Sequence, residues 1–465
     1  MGKLVLIGEK FMRLQASFFM KILYILLITL INPFGLTIGS IWALPKIVTL
    51  FAITTYNTYL LISERNNIQF KKTISLIKPV GNYLFLFFLI CLYNSLASPA
   101  GIIRSLIGHP VHYSGLVYWV LLFSFVVSNS LLIAVKPSVL KKQIEGLIIG
   151  GFILFLSMIP QVIDWRIDYT FIKEFFENNV PHQPVGLYSH RGHAGFVLSA
   201  IAIILISAYK ENIVAKKYLW LLPLIVLGLI LTRNKGGIIS FIGGLVYVKF
   251  PKQKLALYLA IALVSFTILI SIPAYHIKSE FGSGRLYLWG SAFQRVIVSP
   301  IKGYGMDGFT TAYFYGAPKH HERLYEGNYK ILGIINDYSI TRIKQGDIGT
   351  TEINFSKAHN LLLDWAASIG IPGACLYLVI FGYFFKVSES PFSSVAVAYI
   401  IYTFTWFESG QFSHIAWWSL SLLNYEKIIS NSNFTLESEV SSSMEFTIRN
   451  RVSAAVKKLF KKLSF

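Results

Sequence analysis

Long apolar runs recur along almost the whole chain, each close to the roughly 20 residues a helix needs to cross a bilayer. They are continuous rather than alternating, which predicts membrane helices and argues against the strands of a closed barrel. The first run, about 18–31, ends at the turn Asn32-Pro33-Phe34-Gly35. It follows a basic stretch (Lys3, Lys10, Arg13) without a small-residue cleavage site, so it reads as a retained helix rather than a removed signal. Further runs are expected at about 41–62, 79–96, 114–135, 143–160, 191–209, 218–231, 238–250 and 255–273. The last three lie at about 361–385, 392–407 and 413–427. The pattern predicts an all-α fold, a polytopic transmembrane bundle of about twelve helices with both chain ends on one side. Residues 1–273 would carry nine spans with short loops, and 274–360 one large loop on the opposite side. Residues 361–427 would carry three more spans, and 428–465 a tail.

Charge sharpens the topology. The 465 residues hold 42 Lys and Arg against 22 Asp and Glu, a net charge of +20. In a soluble protein that excess would point to nucleic acid. Here the chain is 54% hydrophobic and its lysines (Lys71, Lys72, Lys141, Lys142, Lys216, Lys217, Lys386) fall in alternate short loops. That is the positive-inside pattern, which places both ends in the cytoplasm and needs no nucleic-acid partner. Cys91 and Cys375 both lie in apolar segments and form neither a disulfide framework nor a metal motif. In the tail, Val452, Val456, Leu459, Phe460 and Leu463 share one helical face with lysines opposite. This fits an interfacial helix on an anionic leaflet as well as a solvated basic tail.

The loops on the other side carry clusters of Arg and His. Under this topology four clusters converge there: His190-Arg191-Gly192-His193, Arg233 with Lys235, Arg285 in Gly284-Arg285-Leu286-Tyr287-Leu288-Trp289, and His359-Asn360. A single Arg at the hydrocarbon boundary snorkels to the headgroups. Several at one depth repel one another, and a shared polyanion such as a lipid-linked diphosphate accounts for them together. Asn360 is also a natural helix cap, and His359 could be no more than a helix-end residue. His190 and His193 have metal-ligand spacing but no carboxylate or thiol beside them, so no metal site is read. His320-His321-Glu322 reads as a solvated face.

The run His359-Asn360-x-x-Leu363, followed by Gly370-Ile371-Pro372-Gly373, resembles the signature of the O-antigen ligase and polymerase superfamily. So do Arg285-x-x-x-Trp289 and Pro300-Ile301-Lys302-Gly303-Tyr304-Gly305-Met306-Asp307-Gly308-Phe309. The segment Leu231-Thr232-Arg233-Asn234-Lys235-Gly236-Gly237 is similar to the family's Thr-Arg-Ser-Arg-Gly-type turn, departing at Asn234 and Lys235. The likeness covers about 190–385, and the N-terminal third matches only in hydropathy and helix number.

The resemblance implies an inner-membrane glycosyltransferase without metal or other cofactor, its active site facing the periplasm. The donor would be an undecaprenyl-diphosphate-linked glycan and the acceptor lipid A–core, as in O-antigen ligases. A polymerase of O-antigen, capsule or exopolysaccharide would use the same donor and a second lipid-linked glycan as acceptor. His359 matches the catalytic histidine, Arg191 and Arg285 match diphosphate-holding positions, and Arg233 matches a motif arginine of less defined role. His193, Asn360 and Lys235 stand beside these as further substrate-binding candidates. The chemistry is coherent by itself: arginine forks stabilise a leaving diphosphate, and a neutral imidazole accepts the acceptor's proton. One attack at C1 would invert the anomeric centre. A transporter or flippase of lipid-linked glycans is the competing class, and it would be expected to show interrupted repeat helices.

Overall fold

The computed structural model describes residues 18–163, 184–251, 253–274, 285–315, 329–336, 339–344, 347–352 and 356–425. The amphipathic tail and His320-His321-Glu322 lie outside them. The bundle is helical. Its elements are α1 (Phe18–Thr29), α2 (Leu44–Leu61), α3 (Ile68–Leu96), α4 (Ile102–Ile107), α5 (Leu116–Val135), α6 (Ser138–Val162), α7 (Arg191–Lys210) and α8 (Leu221–Leu231). There follow α9 (Lys235–Lys249), α10 (Gln253–Ala274), α11 (Arg285–Val298), α12 (Phe309–Tyr315), α13 (Leu361–Ser388), α14 (Ser393–Phe404) and α15 (Ser413–Leu420). Each apolar run of the sequence therefore contains a helix. Five of them (α3, α5, α6, α7 and α13) are long and apolar enough to cross a membrane, and three shorter apolar helices accompany them. The segment 274–360 has more architecture than a loop. It holds α11, α12 and a three-stranded antiparallel meander, β1 (Tyr329–Asn336), β2 (Ser339–Lys344) and β3 (Asp347–Glu352), in that order. The β-branched run Ser339-Ile340-Thr341-Arg342-Ile343 suits the middle strand.

Burial separates centre from rim. The hydrophobic window of α7 is 89% buried, whereas that of α3 is 17% buried and presents Phe85, Leu89, Tyr93 and Leu96 outward. An apolar outer face of this extent is what a helix in lipid presents, because nothing there rewards a polar side chain. The centre is held by close approach. A Cβ at Gly195 of α7 would stand 3.1 Å from Asn234 and 3.2 Å from Thr232, so the start of α9 rests directly on α7.

The feature that shapes the site is a break in α13. Ile369 (φ −127°, ψ 16°) and Gly370 (φ 74°, ψ 172°) leave the helix just before Pro372. Proline cannot donate to the ladder, and Gly370 takes a conformation closed to other residues. The freed backbone groups are met by the Pro300–Gly308 segment. Tyr304 N–H donates to Ala367 O (2.9 Å), Gly305 N–H to Ser368 O (2.9 Å), and Ile371 N–H to Pro300 O (2.7 Å). Gly308 N–H reaches the Ser368 hydroxyl at 3.1 Å. The two glycine-proline motifs of the sequence are thus the two halves of one joint. Gly370→Ala is expected to cost about 1–3 kcal/mol through its positive φ, and more where the new Cβ meets the Ile301 carbonyl. Thermal unfolding in detergent measures the loss.

Candidate functional site

The predicted residues meet around a side chain that the sequence did not single out. Trp406 follows α14 and is 6% exposed. His190 (5.0 Å), His359 (4.9 Å), His193 (6.1 Å) and Phe407 (5.0 Å, stacked) surround its ring. The Arg285 guanidinium lies over it at 5.4 Å. His190 caps α7, its Nδ1 accepting from Gly192 N–H at 2.9 Å, so Arg191 is the first helical residue beside it. Burial and then the charges of Arg191 and Arg285 hold the His190 ring down to about 4. Burial and the Arg191 charge likewise lower Arg285. Arg191, Arg285, His190 and His359 therefore form one electrostatic unit, assembled from α7, α11 and the approach to α13.

His359 is held from three directions. Its backbone is left-handed (φ 56°), uncommon for a residue with a Cβ. Its carbonyl accepts from Trp289 Nε1 at 3.2 Å. The preceding Ala358 N–H donates to Asp364 Oδ1 at 2.7 Å. The following Asn360 caps α13, its Oδ1 accepting from Leu362 N–H (3.1 Å) and Leu363 N–H (3.2 Å). Asn360 Nδ2 donates to Thr267 and to the Phe404 carbonyl, so its amide is used in full by the fold. The imidazole sits edge-on to Trp406 and Phe407, and its buried Nδ1 has no hydrogen-bond partner among the described residues. Burial, then Arg285, then His190 lower its pKa to about 3, leaving it neutral at ordinary pH.

The remaining predicted residues fall at different depths. His193 is buried in the first turn of α7 against Phe412, with Nδ1 3.3 Å from the Ser189 hydroxyl and Nε2 without a hydrogen-bond partner among the described residues. Arg233 (φ 50°) and Lys235 are exposed on the turn that Asn234 caps from Oδ1 to Gly237 N–H, 2.5 Å. That turn abuts α7 at Gly195, and no described contact joins the two side chains to the Trp406 cluster. They form its outer rim.

Behind His359 lies a second polar group. Lys357 and Asp307, both buried, form an ion pair. Asp307 also accepts from His109 N–H at 2.6 Å, and its carbonyl accepts from Arg104 at 3.4 Å. Burial pushes the Asp307 carboxyl up, but Lys357 and Arg104 outweigh it and hold it well below the usual range. With Asp364 and Glu408, the pair lines a cavity of about 20 Å³, room for a single water. Glu408 accepts hydrogen bonds from Tyr377 (2.6 Å) and Tyr399. Folding thus gathers three carboxylates that the chain keeps 44 or more residues apart or on different elements. Among the described residues no group of three His, Cys, Asp or Glu side chains is placed to hold a metal ion. Lys46 is buried in α2, donating to the Leu30, Trp42 and Leu187 carbonyls and lying 4.3 Å from the Tyr188 ring, and it anchors the segment that leads to His190. Charged residues inside apolar runs were the available signal for Lys46, Asp364 and Glu408. Nothing local marked Trp406.

No family model matches the chain, and none of the curated proteins aligns with it.

Proposed function

We propose that the protein is a membrane glycosyltransferase that moves a glycan from undecaprenyl diphosphate to a hydroxyl of lipid A–core, in the manner of the O-antigen ligases it resembles. The observation that carries this is the convergence of Arg285 and His359 on Trp406, with the Arg191 charge close enough to act on His190 and Arg285. Two guanidinium groups whose like charges are brought near one another invite a shared dianion, and a neutral imidazole stands next to them. In the reaction the acceptor oxygen attacks C1, the C1–O bond to the diphosphate breaks, and its electron pair leaves with undecaprenyl diphosphate. His359 takes the hydroxyl proton, and the arginines receive the charge that grows on the leaving group. Attack opposite the diphosphate inverts the anomeric centre.

The setting fits the same reading. About twelve helices would then cross the inner membrane, with both ends in the cytoplasm and the Trp406 cluster at the periplasmic side. An apolar cavity of about 540 Å³ opens between α10, α13 and α14, lined by Ile261, Val264, Leu378, Phe381 and Ile400. Ser265 and Ile400 in its wall stand two and four residues from Thr267 and Phe404, which hold Asn360. A predominantly apolar cavity of this size suits an isoprenoid tail.

The break in α13 favours a second reading, because discontinuous helices beside a charged midplane site are a transporter device. One reconstitution separates them: purified protein, undecaprenyl-diphosphate glycan, EDTA, and either lipid A–core or lipid-linked repeat units. The ligase forms product only with lipid A–core, a polymerase only with repeat units. A transporter forms none, yet moves the donor across the bilayer. In the same assay Arg285→Ala is expected to lower kcat/KM by about 10²–10³-fold, the scale of a lost donor to a developing oxyanion.

A further inference from the structure

Two donors at the centre of the cluster have no part in the mechanism above. The Tyr402 hydroxyl and the Trp406 indole nitrogen are both buried, and neither has a hydrogen-bond partner among the described residues. Buried polar groups are paired in most proteins because water is lost and not replaced, so two adjacent exceptions require a reason. Packing supplies none. Tyr402 stacks on Phe196 (5.0 Å, 27°) and touches Phe412 (5.7 Å), surroundings in which phenylalanine would fit without leaving a hydroxyl stranded.

Their position supplies one. A Cβ at Gly192 would lie 2.9 Å from the Tyr402 hydroxyl and 2.9 Å from Trp406 Cζ2, on the indole edge that carries the N–H. Glycine there lets both side chains settle on the first turn of α7, next to Arg191. The Arg285 guanidinium covers the Trp406 face, and the partnerless His359 Nδ1 is adjacent. Arg285 and two uncharged donors thus adjoin the first turn of α7, which Arg191 begins, and among the described residues no carboxylate is recorded in contact with the two donors.

We propose that the Tyr402 hydroxyl and the Trp406 indole N–H donate hydrogen bonds to the non-bridging oxygens of a diphosphate held between Arg191 and Arg285. This rests on the diphosphate reading of the site. Neutral donors are the economical complement to two arginines. A third cation would add repulsion to the empty site, whereas a hydroxyl and an indole add bonds without charge. Cleavage of the C1–O bond adds one negative charge to the departing diphosphate, so both hydrogen bonds strengthen as the bond breaks.

The test uses the full chain in lipid nanodiscs, with undecaprenyl diphosphate as the probe and inorganic pyrophosphate as competitor. Tyr402→Phe and Trp406→Phe are each expected to weaken both by about tenfold, the loss of one hydrogen bond to a charged acceptor. Donor KM rises and kcat falls as well. Tyr402→Phe is isosteric, and its ligand-free unfolding temperature is expected to stay level or rise, since an orphaned hydroxyl is removed. A structural role would lower it. Tyr188→Phe, which deletes another buried hydroxyl without a hydrogen-bond partner among the described residues, on the ring that Lys46 overlies, leaves binding unchanged. If Tyr402→Phe and Trp406→Phe bind within about twofold of the native protein while Arg285→Ala does not bind, the proposal fails and the diphosphate site stands. If Arg191→Ala and Arg285→Ala also bind normally, the diphosphate reading falls with it.

Discussion

His359→Ala is expected to lower the transfer rate at saturating donor by about 10²–10⁴-fold, the usual contribution of a general base. Donor binding should be little changed, because on the proposed reading the arginines hold the diphosphate. The pH dependence follows from the environment of the ring. In the free protein burial and Arg285 depress the imidazole to about 3. It therefore stays neutral as pH falls through the ordinary histidine range, and kcat/KM should show no acid limb near 6.5. A bound diphosphate offsets the Arg285 charge and raises the imidazole pKa in the complex. The acid limb of kcat should then lie at higher pH than that of kcat/KM. Full transfer by His359→Ala, or identical limbs in the two profiles, would remove the proposed base.

Asp307→Asn is expected to destabilise the fold by about 3–5 kcal/mol, the scale for removing one partner of a buried ion pair. Lys357 would be left buried without its counter-charge, and the His109 backbone N–H would lose a charged acceptor. Lys357 is two residues from His359, so the same change loosens the base and lowers activity. The double variant Asp307→Asn/Lys357→Met removes both charges and should recover most of the stability, as judged by unfolding in detergent. A single variant as stable as the native protein would mean that the pair does not hold the loop.

The sequence read the helices well for a local reason. A span is announced by the apolar character of its own residues, so α2, α5, α7 and α9 fall within a few residues of where hydropathy puts them. Capping is equally local, and Asn360 was legible as the cap it is. The motif residues were also visible as motifs. Their physical purpose was not, because Gly370 leaves the helix only when the Pro300–Gly308 backbone is there to take up Ala367 O, Ser368 O and Ile371 N–H.

The candidate site divides in the same way. Arg191, Arg285 and His359 were nominated by residue type and by the side of the bundle they occupy. Which of them meet was settled by packing. Arg233 and Lys235, equal candidates in the sequence, stay on the rim because Gly195 and Thr232 fix their turn against α7 with its side chains outward. Trp406 gathers the histidines and Arg285 although no local pattern distinguishes it from other aromatics at the end of an apolar run. Asp307 and Lys357 stand 50 residues apart and pair only in the folded chain. Helix positions and caps are properties of short stretches, and the sequence determined them. The Trp406 cluster and the buried ion pair join residues far apart in the chain, and they exist only once the helices have packed.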